Sequence, residues 1–213
     1  MAGALEPGPD GRLRCPWGVA PADYRSYHDE EWGRPLGGES ALLERLCLEG
    51  FQAGLSWLTI LRKREAFRRA FAGFDVARVA AYGEAEVEGL LADPGIVRHR
   101  GKVTAAIANA RAVEALWAEG RTLAEVVWAE EPRPPPPPPP TMADLATVSP
   151  GARRLSAELR RRGFRFLGPT TVHAALQAVG VVDDHLEGCF VRAEVEAERA
   201  AFSRPRGPGP PAR

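Results

Sequence analysis

The stretch Ser40-Ala-Leu-Leu-Glu-Arg-Leu-Cys-Leu-Glu-Gly-Phe-Gln-Ala-Gly-Leu-Ser-Trp-Leu-Thr-Ile-Leu-Arg-Lys-Arg-Glu-Ala-Phe-Arg-Arg-Ala-Phe71 carries the clearest periodicity in the chain. Leu42, Leu43, Leu46 and Cys47, then Leu55, Leu58 and Leu61, recur at helical spacing, behind Ser40 as a helix N-cap. Gly50 and Gly54 interrupt the run, so it predicts two helices or one broken helix. Outward from it the helical signal continues. Asp75 caps a short helix over 76–82, and Glu84 to Leu91 reads as another. Lys102 to Glu119 places Val103, Ile107, Val113, Leu116 and Trp117 on one stripe, closed by Gly120. Ser149-Pro150 opens a helix that Gly163 closes, and Thr170 to Val179 forms the last one before Gly180. No stretch alternates with period two, so the expected class is all-α.

Composition bounds the rest. The chain has 213 residues, enough for one cored domain, with 45% hydrophobic and 26% charged residues. Formal net charge is zero, so a nucleic-acid partner has to be argued from where charges sit and not from their sum. No uncharged apolar segment reaches about eighteen residues, which predicts no membrane partner and a cytoplasmic chain. Three cysteines, an odd number, do not suggest a disulfide framework and favour metal ligation or buried thiols. The Gly- and Pro-rich residues 1–13 are expected to be disordered, 14–190 to form the domain, and 191–213 to be a C-terminal tail. Pro134 to Pro140, seven consecutive prolines, are expected to form a stiff extended surface loop.

Three groups of residues could carry chemistry. Cys15, His28, His185 and Cys189 offer the two thiolates and two imidazoles of a tetrahedral zinc site, with His185 and Cys189 at i, i+4. Spacing alone leaves the alternative open, that these are two surface histidines and two unrelated thiols. Cys47 lies on an apolar stripe and reads as a core thiol. Second, Trp17, Tyr24, Tyr27, Trp32 and Trp57 crowd into the first 57 residues, where they serve either a core or a pocket that stacks a nucleobase. Among them Glu49 is the one charge between Leu46 and Ile60, either on a solvated helix face or buried at a ligand. Gly50 and Gly54 would let such a ligand come close. Third, Gly95-Ile-Val-Arg-His-Arg-Gly-Lys102 joins two helices through a turn whose amides, with Arg98, Arg100 and Lys102, could hold a DNA phosphate. Further basic islands lie at 62–69 and 153–165, against acidic Glu187, Glu194, Glu196 and Glu198.

Six motifs in order resemble the DNA-3-methyladenine glycosylase I family of the helix–hairpin–helix superfamily, over roughly Arg14 to Phe190. They are Cys15-Pro-Trp17, Tyr24-x-x-Tyr-His-Asp-x-Glu-Trp-Gly33, Leu48-Glu-Gly-Phe-Gln-Ala-Gly-Leu-Ser-Trp57, Gly95 to Lys102, Gly163-Phe-Arg-Phe-Leu-Gly168 and Asp184-His-x-x-x-Cys189. The resemblance implies a helical bundle whose N- and C-terminal segments are tied by structural Zn2+ on Cys15, His28, His185 and Cys189. It implies base recognition by Glu49, with Tyr27 and Trp57 against the base and Trp17, Tyr24 and Trp32 as the surrounding wall. Gly95, Arg98, Arg100, Gly101 and Lys102 would anchor double-stranded DNA containing alkylated bases. His173 and the heptaproline depart from the family pattern. The implied reaction is hydrolysis of the N-glycosidic bond of 3-methyladenine by a monomer. No aspartate lies between Pro94 and Met142, which argues against an aspartate-assisted or lyase mechanism. A zinc-containing DNA binder without activity, and a scaffold that uses the proline run for partners, are the competing readings.

Overall fold

A computed structural model describes residues 3–205. Ten α-helices dominate them: α1 (Ala22–Glu30), α2 (Glu39–Gln52), α3 (Trp57–Ala70), α4 (Val76–Ala80), α5 (Glu84–Ala92), α6 (Arg100–Ala118), α7 (Leu123–Trp128), α8 (Pro150–Arg161), α9 (Pro169–Ala178) and α10 (Arg192–Ala201). The 40–71 stretch is two helices. The break falls at Gly54, whose φ of +80° suits glycine, while Gly50 stays inside α2. Ser56 restarts the helix by accepting the Thr59 amide at 3.2 Å. Ser40 is not a cap; α2 begins one residue earlier, behind Gly38.

α2 is the central element. It buries Leu42, Leu43, Leu46, Cys47, Leu48 and Phe51, and packs against α3, α6, α7 and α9. Phe51, Phe67, Phe71 and Phe74 stack at its C-terminal end, with Phe71 and Phe74 centroids 5.3 Å apart. Cys47 is a core thiol, as its place on the stripe implied, and burial pushes it up to about 12. α1 and α7 carry too few apolar repeats to stand out in the sequence. They form because longer helices cover their inner faces.

Both termini differ from expectation. Glu6–Pro7 pairs antiparallel with Leu13–Arg14, so residues 3–13 are a short hairpin and not a disordered arm. Arg14 accounts for it: its buried guanidinium donates to Asp10 at 2.6 Å and to Asp29 at 2.8 Å. Residues 192–201 of the expected tail form α10. Arg199 on it donates to the Gly180 carbonyl at 2.8 Å, and Phe202 beyond it lies 4.6 Å from the Trp128 ring. The expected disorder of the last residues falls, from 206 on, outside the described residues. Pro134–Pro137 are exposed as expected, but Pro139 is buried and accepts the Glu187 amide at 2.9 Å. None of the described helices is long and apolar enough to cross a membrane.

Candidate functional site

Cys15 follows the Leu13–Arg14 strand, His28 lies in α1, and His185 and Cys189 sit in the turn before α10. Their ligand atoms converge to within 4.8 Å of one another, all buried. Cys189 Sγ is 3.7 Å from both His28 Nε2 and His185 Nδ1, and Cys15 Sγ is 3.9 Å from His185 Nδ1. Zinc with its usual bond lengths holds tetrahedral sulfur and nitrogen ligands about 3.6 Å apart, so these separations fit an ion at the centre. The second ring nitrogens are spoken for: His28 Nδ1 is 2.8 Å from Asp29 Oδ1, and His185 Nε2 is 3.1 Å from the Trp32 carbonyl. Such partners fix which nitrogen faces the centre. The Leu186 amide donates to Cys15 Sγ at 3.4 Å. Between the two thiols, their shared proton and the flanking imidazoles favour the thiolate on Cys189 and the thiol on Cys15. A bound dication would let both ionise.

The aromatic wall is built directly against this cluster. Trp17 packs 4.9 Å from the His28 ring, and Trp32 packs 4.7 Å from the His185 ring. Trp17 then contacts Tyr24 at 5.2 Å and Trp32 at 5.0 Å. Tyr24, Tyr27 and His28 occupy i, i+3 and i+4 of α1, so one helix face carries both the wall and a metal ligand. Tyr27 reaches Trp57, the first residue of α3, at 5.4 Å between ring centroids. The Trp57 Nε1 donor is buried without a partner. Glu49 lies within this group at 5% exposure, so the solvated-face alternative fails. Burial raises its carboxyl to about 7, and Arg45, one turn earlier on α2, pulls against that rise. Trp57 at 8% and Tyr27 at 3% exposure are as buried as the acid itself.

The 95–102 turn sits between α5 and α6 as expected, but its residues divide. Gly95 donates its amide to Asp93 at 2.7 Å, and Lys63 reaches across to the carbonyls of Pro94 and Gly95 at 3.0 and 3.1 Å. His99 caps α6 by accepting the Lys102 amide at 3.2 Å. Arg98 is exposed and makes no ion pair among the described residues, whereas Arg100 is paired with Glu84 and Glu88. Lys102 points inward: its ammonium donates to the Phe51 and Ala53 carbonyls at 2.9 and 2.5 Å. Its expected place on a phosphate is thereby corrected. Gly50 packs beside the Phe166 loop, where a Cβ would meet Phe166 at 3.4 Å.

Leu55, which the spacing placed on an apolar helical stripe, and Phe166 are among the large apolar side chains left exposed in the described residues, at 42% and 43%. Leu55 lies in the α2–α3 break, and Phe166, with φ of +58°, lies 6.2 Å from His99 at the 95–102 turn. Their signal in sequence was only an apolar residue next to glycine or in a basic loop. The basic islands are largely neutralised: Arg62, Arg64, Arg68, Arg154, Arg161 and Arg162 all have acidic partners.

The fold and site define a helical protein in which Cys15 and His28 meet His185 and Cys189 in a thiol–imidazole cluster that backs an aromatic wall beside one buried carboxylate. The chain belongs to the methyladenine glycosylase family, whose model matches residues 17–192. It is 43% identical over 177 residues to DNA-3-methyladenine glycosylase 1 of Escherichia coli (strain K12), covering 83% of this chain and 95% of that protein. A crystal structure of a 3-methyladenine DNA glycosylase I superposes with TM-score 0.80 at 44% identity, covering 83% of this chain and 98% of the other. A Staphylococcus aureus 3-methyladenine DNA glycosylase I, studied for 3-methyladenine recognition, superposes with TM-score 0.79 at 37% identity, covering 84% and 96%.

Proposed function

We propose that this protein is a base-excision repair glycosylase that hydrolyses the N-glycosidic bond of 3-methyladenine in alkylated double-stranded DNA, acting as a monomer in the cytoplasm and without a lyase step. The observation that carries the reading is the buried Glu49 carboxyl, whose charge acts on Tyr24 and Tyr27 of the aromatic wall that Trp17, Trp32 and Trp57 complete, in a chain of this family.

An adenine methylated at N3 is a cation while attached to deoxyribose. Breaking the C1′–N9 bond sends its electron pair to the base, which leaves neutral and needs no proton. Water adds to C1′ and gives its extra proton to solvent. The protein therefore has to extrude the base, stack it and favour its charge over neutral adenine. An ionised Glu49 supplies that preference, and its attraction is stronger in an apolar box than in water. The unpartnered Trp57 donor gives the box a polar group for a ligand to satisfy. Entry requires the lip at 53–56, which is exposed, to part from the wall.

On the DNA side, α5, the 93–99 turn and α6 form the helix–hairpin–helix element of this reading. Arg98 and the Gly101 amide in the first turn of α6 meet phosphate, with Gly95, its amide held by Asp93, shaping the turn and Arg100 joining by releasing Glu84 and Glu88. Leu55 and Phe166 are placed to wedge into the base stack left by the extruded nucleotide. Zinc on Cys15, His28, His185 and Cys189 serves as a four-protein-ligand structural ion that ties the chain ends and braces Trp17 and Trp32.

Incubating the purified protein with methylated duplex DNA should release 3-methyladenine and leave intact abasic strands. Borohydride should trap no protein–DNA adduct. Absence of base release, or a trapped Schiff base, contradicts the reading.

A further inference from the structure

Arg45 is an unusual residue to find at 8% exposure in the middle of α2. No carboxylate lies within ion-pairing distance of it among the described residues, and a buried guanidinium without a paired acid is costly. What surrounds it is the base box. Its Nη1 donates to the Tyr27 hydroxyl at 3.0 Å. Its guanidinium carbon lies over the Tyr27 ring at 5.3 Å and over the Trp57 ring at 5.1 Å, within cation–π range of both. Arg45 and Glu49 occupy i and i+4, one face of α2, so the cation stands one turn from the acid. Tyr27 comes from α1 and Trp57 from α3, and Arg45 touches both. One side chain thus clamps the rings of two helices and sets its charge toward the carboxylate of a third.

We propose that Arg45 is a positioning residue for base excision, holding Tyr27 and Trp57 in register and setting its charge to favour the Glu49 anion against burial. This rests on the glycosylase reading above and adds to it a group that acts through others without touching the base. The field of Arg45 is the charge interaction that opposes the burial of Glu49. Tyr24 and Tyr27 of α1 face the same acid as neutral phenols, both pushed up by burial. Lys102 of α6, beyond the end of α2, is engaged with the Phe51 and Ala53 carbonyls. His173 of α9 lines the cleft under the proline loop instead.

Two variants separate charge from clamp. Arg45→Gln keeps a donor for Tyr27 and removes the charge; Arg45→Lys keeps the charge and removes the planar fork. Single-turnover release of 3-methyladenine is followed from pH 5.5 to 9 on the full chain, with wild type in parallel. Arg45→Gln is expected to move the acid limb up by about one pH unit. Arg45→Lys is expected to leave the limb in place and lower the plateau about tenfold, through loss of ring alignment. An unmoved limb in Arg45→Gln, or a wild-type plateau in Arg45→Lys, overturns the proposal. No release by wild type overturns the glycosylase reading instead, so the two failures are distinguishable.

Discussion

Burial holds the Glu49 carboxyl near 7, well above its ordinary value of 4.5, and so the fold favours the protonated acid. A folded value above the unfolded one means the stabilisation is complete below about 4.5 and is lost as pH rises toward about 7. At pH 8 the charged acid is a net strain on the native state. Glu49→Gln is therefore expected to raise the melting temperature at pH 8, by an amount equivalent to about 1–3 kcal/mol. At pH 5 the difference should nearly vanish. Thermal denaturation at the two pH values checks this, and equal gains at both would contradict it. Glu49 stood out in the sequence because no other charge lies between Leu46 and Ile60. Arg45 did not, since the rings that give it meaning arrive from helices outside α2.

At the scale of elements, the α5–α6 turn was legible as a break between two helical stripes. The direction of its side chains was not. Lys102 follows two arginines in sequence, but at the first turn of α6 it falls on the inner face, where the C-terminal carbonyls of α2 lack intrahelical donors. Lys102→Met should then cost about 1–3 kcal/mol in urea denaturation and leave the salt dependence of DNA binding unchanged. Arg98→Ala should do the reverse, sparing stability and lowering the salt slope by about one. An unchanged slope in Arg98→Ala would remove that residue from the interface. The hairpin at residues 3–13 was missed for a similar reason. Its composition reads as disorder, and only Asp29, from α1, gives Arg14 the second carboxylate that anchors it.

Across the whole molecule, residues at the two ends of the domain become neighbours. Cys15 and His28 meet His185 and Cys189 only through tertiary packing, which is why spacing left the metal reading open and the distances favour it. One zinc per chain is expected by metal analysis of the purified protein. Cys189→Ser should lose the metal and lower the melting temperature, and a chelator should lower that of wild type. Full metal content in Cys189→Ser would refute the ligand set. Because Trp17 and Trp32 pack on the ligand imidazoles, metal loss should also loosen the wall around Glu49. Of the helices that carry this site, α2 and α3 were visible as apolar stripes and α1, which brings Tyr24 and Tyr27, was not; the wall itself is a product of their packing. Its chemical purpose is tested most directly by single-turnover release of 3-methyladenine from methylated duplex DNA by wild type and Glu49→Gln at pH 8. Wild type should release the base, and Glu49→Gln should do so at a rate at least about tenfold lower; equal rates in the two proteins would remove Glu49 from base recognition.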